Sequence, residues 1–117
     1  MSTAEEDVWQ DHIMYLVRAY ATWYLVDEAL RMLAKIGGEH IGVSRYHRFV
    51  SDAYRALVVF EPPVRYQVLH HDLLDTFVGI EHWLNGTSSH ARADLMEDIQ
   101  IVGVELKEQM QLLGLHF

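Results

Sequence analysis

His70, Glu81 and the trio His71, Asp75 and His82 are the residues whose types and spacing admit chemistry in this chain. All five fall within residues 63–84, a stretch that reads as a helix with Tyr66, Leu69, Leu73, Phe77, Ile80 and Leu84 as its buried row. His70 and Glu81 land among the apolar positions, on the side of Leu74 and Phe77. Burying an uncompensated charge is expensive, so each needs a partner. Two kinds of compensation are open. One is a hydrogen bond or ion pair to another helix or subunit, with Arg18 as a candidate partner for Glu81. The other is a functional site in which neighbouring groups displace the pKa values. The structural kind is the expectation. His71, Asp75 and His82 share one helix edge at offsets of four and seven, and imidazole and carboxylate both suit first-row transition metals. His82 lies nearly two turns beyond Asp75, so one ion is held by all three only with help from elsewhere. The His-Glu-x-x-His and paired Glu-x-x-His patterns of metal-binding helices are absent, so neither metal nor cofactor is expected.

Nucleophilic catalysis has less to work with. The chain has no cysteine, no Gly-x-Ser-x-Gly elbow and no glycine loop to cradle a phosphate. His70 and His71 lack the basic and glycine residues that usually follow a phosphotransfer histidine. The run Arg65-Tyr66-Gln67-Val68-Leu69-His70 has an Arg-x4-His spacing. It resembles the signature of HEPN ribonucleases, a family of helical, often dimeric proteins, although Tyr66 stands where a small polar residue is common. The resemblance spans these six residues and implies that Arg65 and His70 of two subunits line a cleft and cleave RNA without a metal. Met14, Tyr20, Trp23 and Tyr24 have the spacing to line haem or another flat ligand, a spacing they share with ordinary core residues. The core reading is adopted, and enzyme activity is the secondary expectation.

Four helices must position these groups. The first spans Thr3 to Ile36, with Ser2 or Thr3 as cap and Glu5, Glu6 and Asp7 at the positive end of its dipole. It is uninterrupted until Gly37 and Gly38. Its polar stripe shifts sides: Asp7, Asp11 and Arg18 cluster on one side, and Asp27, Arg31 and Lys35 on roughly the other. Two apolar rows lie between, Trp9, Ile13, Leu16, Tyr20 and Trp23 in one, Met14, Val17, Ala21 and Tyr24 in the second. Two apolar faces on one helix imply either a bend or a second subunit. A second helix is expected from a cap at Ser44 to about Phe60, with Tyr46, Val50, Ala53, Leu57 and Phe60 inward and Arg45, Arg48, Asp52 and Arg55 outward. Pro62 ends it and Pro63 opens the third helix, to Leu84. Asn85-Gly86 turns the chain, which makes the Asn85-Gly86-Thr87 sequon a turn. Ser88 or Ser89 caps a fourth helix to about Leu113, with Leu95, Ile99, Val102, Leu106, Met110 and Leu113 buried. Gly103 in its middle implies a close backbone crossing, and Gly114 with Leu115 a left-handed cap. No stretch alternates as a strand would. The expected fold is all-α, an antiparallel four-helix bundle with a long N-terminal helix, forming one domain over residues 1–117.

Composition limits the function. The 117 residues are half apolar, enough for a single core, and no segment is long and apolar enough to suggest a membrane span. The net charge is -8, and residues 66–117 hold two basic against eight acidic side chains. Such a surface disfavours nucleic acid, whose binding depends on neutralising phosphates, and suits a basic protein partner. A cytoplasmic location is the default. The expected function is protein-protein contact by a small regulator, inhibitor or antitoxin-like or immunity-like partner, acting as a homodimer. Trp9, Tyr20, Trp23 and Tyr24 are assigned to the subunit contact, because aromatic anchors dominate interface energies. Asp94, Glu97, Asp98, Glu105 and Glu108 are assigned to the surface for the basic partner.

Overall fold

A computed structural model of the protein describes residues 3–35, 43–85 and 92–115. Four α-helices account for most of them: α1 (Thr3–Lys35), α2 (Val43–Val58), α3 (Gln67–Leu84) and α4 (Arg92–Leu112). The fold is an antiparallel four-helix bundle, with no strand among the described residues. Each helix packs on the next and α4 returns to α1, while α1 and α3 touch across the diagonal. The caps expected at Ser2, Thr3, Ser44, Ser88 and Ser89 and the turn at Gly37, Gly38, Gly86 and Thr87 fall on residues or side chains outside those described.

At 33 residues α1 is half as long again as α4, with 21, and it sets the 56 Å long axis. Its inward face is continuous: Tyr15, Leu16, Ala19, Trp23, Val26, Leu30 and Leu33 are buried. No second core is needed for its C-terminal half. The shift of the polar stripe has a local cause, because Asp27 is buried and accepts a hydrogen bond from Arg31 Nε at 2.9 Å, one turn on. The carboxylate is compensated within its own helix.

The expected rows of the other helices form the rest of the core. Val50, Ala53 and Leu57 from α2 meet Leu69, Leu73, Phe77 and Ile80 from α3 and Leu95, Ile99, Leu106 and Met110 from α4. Pro63 does not open α3 directly. Its carbonyl accepts the Tyr66 N–H at 2.9 Å, closing one 3-10 turn, Val64–Tyr66, before the α-helix starts at Gln67. That turn drives the Tyr66 ring into the core. At the other end of the chain, Gly114 adopts φ +79°, with Leu115 N–H on the Met110 carbonyl and Gly114 N–H on that of Gln111, both at 2.9 Å. This pair of bonds is a Schellman cap, and Leu115 supplies its apolar contact against the core.

Candidate functional site

His70 is buried on α3, and its Nδ1 lies 2.9 Å from Tyr15 Oη on α1. Tyr15 in turn stacks on Tyr66, with ring centroids 5.6 Å apart and planes 9° from parallel. The Tyr66 hydroxyl reaches His12 Nδ1 at 3.3 Å, and the His12 ring stands edge-on to Tyr66. The four rings form a ladder, His12, Tyr66, Tyr15, His70, that ties α1 to α3 across the bundle diagonal. Burial pushes the Tyr15 and Tyr66 phenols above the usual tyrosine range, Arg65 partly offsetting the shift at Tyr66. Burial also lowers the His70 pKa, helped by the charge of neighbouring His71. Both partners of the Tyr15–His70 bond are therefore held neutral, as a buried polar pair requires. His12 and Tyr15 also line a cleft closed by Phe60, Pro62 and Val64. Sequence reasoning found His70 but missed Tyr15 and His12, because their partners lie on another helix and only the packing register joins them.

Arg65 and His70 sit in different surroundings. Arg65 is exposed, its guanidinium 5.9 Å from the Tyr66 ring centroid, while the His70 ring is engaged inside the bundle. Glu81 is compensated by α2 and not by Arg18. Ser51 Oγ donates to Glu81 Oε1 at 3.0 Å, and His47 Nε2 stands 3.4 Å from the same oxygen. Arg18 instead lies over Phe60, 4.6 Å from its centroid. In the Ser51, Glu81 and His47 group the carboxylate sits between serine and histidine, so no imidazole is placed to take the serine proton.

His71 Nε2 and Asp75 Oδ2 pair at 3.2 Å on the exposed edge of α3. No group of three or more potential ligands that could hold a metal ion occurs among the described residues, and His71, Asp75 and His82 are not gathered into one.

The aromatic residues assigned to the subunit contact divide. Trp23 is a correction: it is 5% exposed, with its indole N–H donating to the Ile99 carbonyl at 2.7 Å and Lys107 over its ring. Both apolar rows had to be allotted to a face, and Trp23 belongs to the inner one, where it cannot meet a partner. Tyr20 is half-buried and packs near Trp23 and Tyr24. Trp9 and Tyr24 are about half exposed. The outward face of α1 is carried by Met14, Val17, Tyr24, Leu25 and Met32, each 45 to 64% exposed, together with exposed Ala21. No helix among the described residues covers it.

On α4, Asp94, Glu97, Asp98 and Glu108 are exposed and Glu105 is half-buried. Ile101 and Val104 are exposed among them, an apolar component that the charge pattern concealed. The outer side of α2 presents Arg48, Asp52 and Arg55. No helix among the described residues is long and apolar enough to cross a membrane. No protein-family model, curated protein or solved structure matches the chain.

Proposed function

We propose that this protein acts by protein-protein contact, as a homodimer joined through the outward face of α1, in the manner of a small regulator, inhibitor or antitoxin-like partner. The observation that carries the reading is the exposed band of Met14, Val17, Ala21, Tyr24 and Leu25, opposite a complete core face. Four large side chains about half exposed, together with Ala21, amount to on the order of 400 Å² of apolar surface, a size at which a monomer's largest patch is often functional. Burying such a band together with its polar rim approaches the roughly 800 Å² per partner of a standard interface.

Charge favours this face over α4. Two copies meeting through α4 would oppose the carboxylates of Asp94, Glu97, Asp98 and Glu108, whereas the α1 band is uncharged. The α4 surface is left for a basic partner, with Ile101 and Val104 as apolar contacts inside the acidic field. A cytoplasmic setting belongs to the same proposal.

Light scattering at micromolar concentration tests it. The expected mass is twice the 13.6 kDa of the chain, falling to one chain in Tyr24→Glu with its helical circular dichroism intact. A monomeric parent protein overturns the reading.

A further inference from the structure

Resting on the dimer reading, we infer that the second copy lies antiparallel along α1, with Met14 against the partner's Tyr24 and Val17 against the partner's Ala21. The spacing of the band is the first reason. Met14, Val17, Ala21 and Tyr24 follow intervals of three, four and three, the seam that packs two helices side by side at a crossing angle of about 20°. Gln10 and Glu28 continue the seam at its two ends. Arg18 does not interrupt it, because its guanidinium is turned to Phe60.

Orientation follows from what each arrangement would bring together. A parallel pair would set Ala21 on the partner's Ala21 and Tyr24 on the partner's Tyr24, a thin layer beside a thick one. It would also align the acidic starts of both helices, Glu5, Glu6 and Asp7, with their own copies. The antiparallel pair sets Tyr24 on the partner's Met14 and Ala21 on the partner's Val17, so neither the bulkiest nor the smallest side chain meets its own copy and the layers are more even. Both layers, 14 with 24 and 17 with 21, then centre on residue 19.

In this register the described residues of the two α1 helices lie alongside one another. Each acidic start then runs beside the stretch holding the partner's Arg31 and the partner's Lys35, and the two helix dipoles oppose. One register thus satisfies packing and charge together.

The chain has no cysteine, so engineered thiols report the arrangement without background. Met14→Cys and Tyr24→Cys proteins, carrying tags of different size, are co-expressed or kept separate and treated with a short bifunctional thiol cross-linker. In the antiparallel pair positions 14 and 24 are neighbours, while like positions are about 15 Å apart along the axis at 1.5 Å per residue. Cross-linked dimer is expected from the mixture alone. Cross-linking of either variant with itself overturns the antiparallel pairing, and a dimer by light scattering that cross-links in none of the samples overturns the register. A monomer by light scattering of the parent protein sinks the underlying dimer reading instead. If either cysteine weakens association, Gln10→Cys with Glu28→Cys tests the same centre from the rim of the face, with the same pattern expected and the same outcomes overturning it.

Discussion

The indole of Trp23 lies directly against the backbone of Gly103, so close that a Cβ at position 103 would overlap its six-membered ring. The indole donates its N–H to the Ile99 carbonyl, the acceptor that helical geometry assigns to Gly103's own N–H. A helix interior normally penalises glycine by up to about 1 kcal/mol, and here that loss makes room for a large core side chain. Lys107, one turn on, covers the ring, 4.9 Å from it.

Gly103→Ala should therefore destabilise the bundle despite its better helix propensity. Overpacking costs about 1 to 3 kcal/mol, set against a gain of up to about 1. Urea unfolding should show a lower midpoint. In a Trp23→Leu background, where the ring is gone, the same substitution should be neutral or stabilising. A loss of equal size in both backgrounds would remove Trp23 as the cause.

The Tyr15–His70 pair should shape stability at both ends of the pH range. The folded His70 has a lowered pKa, so its contribution is complete above the unfolded value near 6.5 and declines as pH falls toward the folded value. The slope cannot exceed about 1.4 kcal/mol per pH unit for one proton. Tyr15 and His71 act on it directly, and Tyr66 and His12 continue the ring ladder beyond Tyr15. Tyr15 has the opposite sign, its contribution being complete below pH 10 and lost as pH rises past that value. Denaturant midpoints between pH 5 and 11 check both. His70→Gln should flatten the acid limb, and Tyr15→Phe the alkaline one, the latter at a cost of about 1 kcal/mol at neutral pH.

How much of this was legible in the sequence varies with how local the cause is. The helices and three of the four buried rows follow from periodicity, because Val50, Leu73 or Leu106 sits where a 3.6-residue repeat puts it. Gly103 announced a close approach, but the approaching group is the Trp23 side chain and not a backbone. On α1 periodicity yields two apolar rows without saying which is inner, and Trp23 was consequently placed outside. Asp27 was taken as surface because charge usually is, whereas the Arg31 hydrogen bond makes its burial tolerable. The ladder from His12 to His70 was unreadable, since residues 55 positions apart meet only once the helix register is known.

Ser51 and Glu81 allow a last test, of whether Glu81 is held by its shape or its charge. The Ser51 hydroxyl donates to Glu81 at 3.0 Å across the α2–α3 interface, and removing it in Ser51→Ala should cost about 1 kcal/mol. Glu81→Gln keeps an acceptor oxygen for that hydroxyl and loses only the charge facing His47, which is 3.4 Å away and partly exposed. Partly exposed ion pairs contribute little, so this change should stay within about 0.5 kcal/mol of the parent. Glu81→Ala removes the acceptor as well and should cost at least as much as Ser51→Ala. The double variant Ser51→Ala with Glu81→Ala should cost less than the two single losses combined, because the shared hydrogen bond is counted once. If Glu81→Gln proves as damaging as Glu81→Ala, the carboxylate charge toward His47 is what holds α2 on α3, and the hydroxyl is incidental.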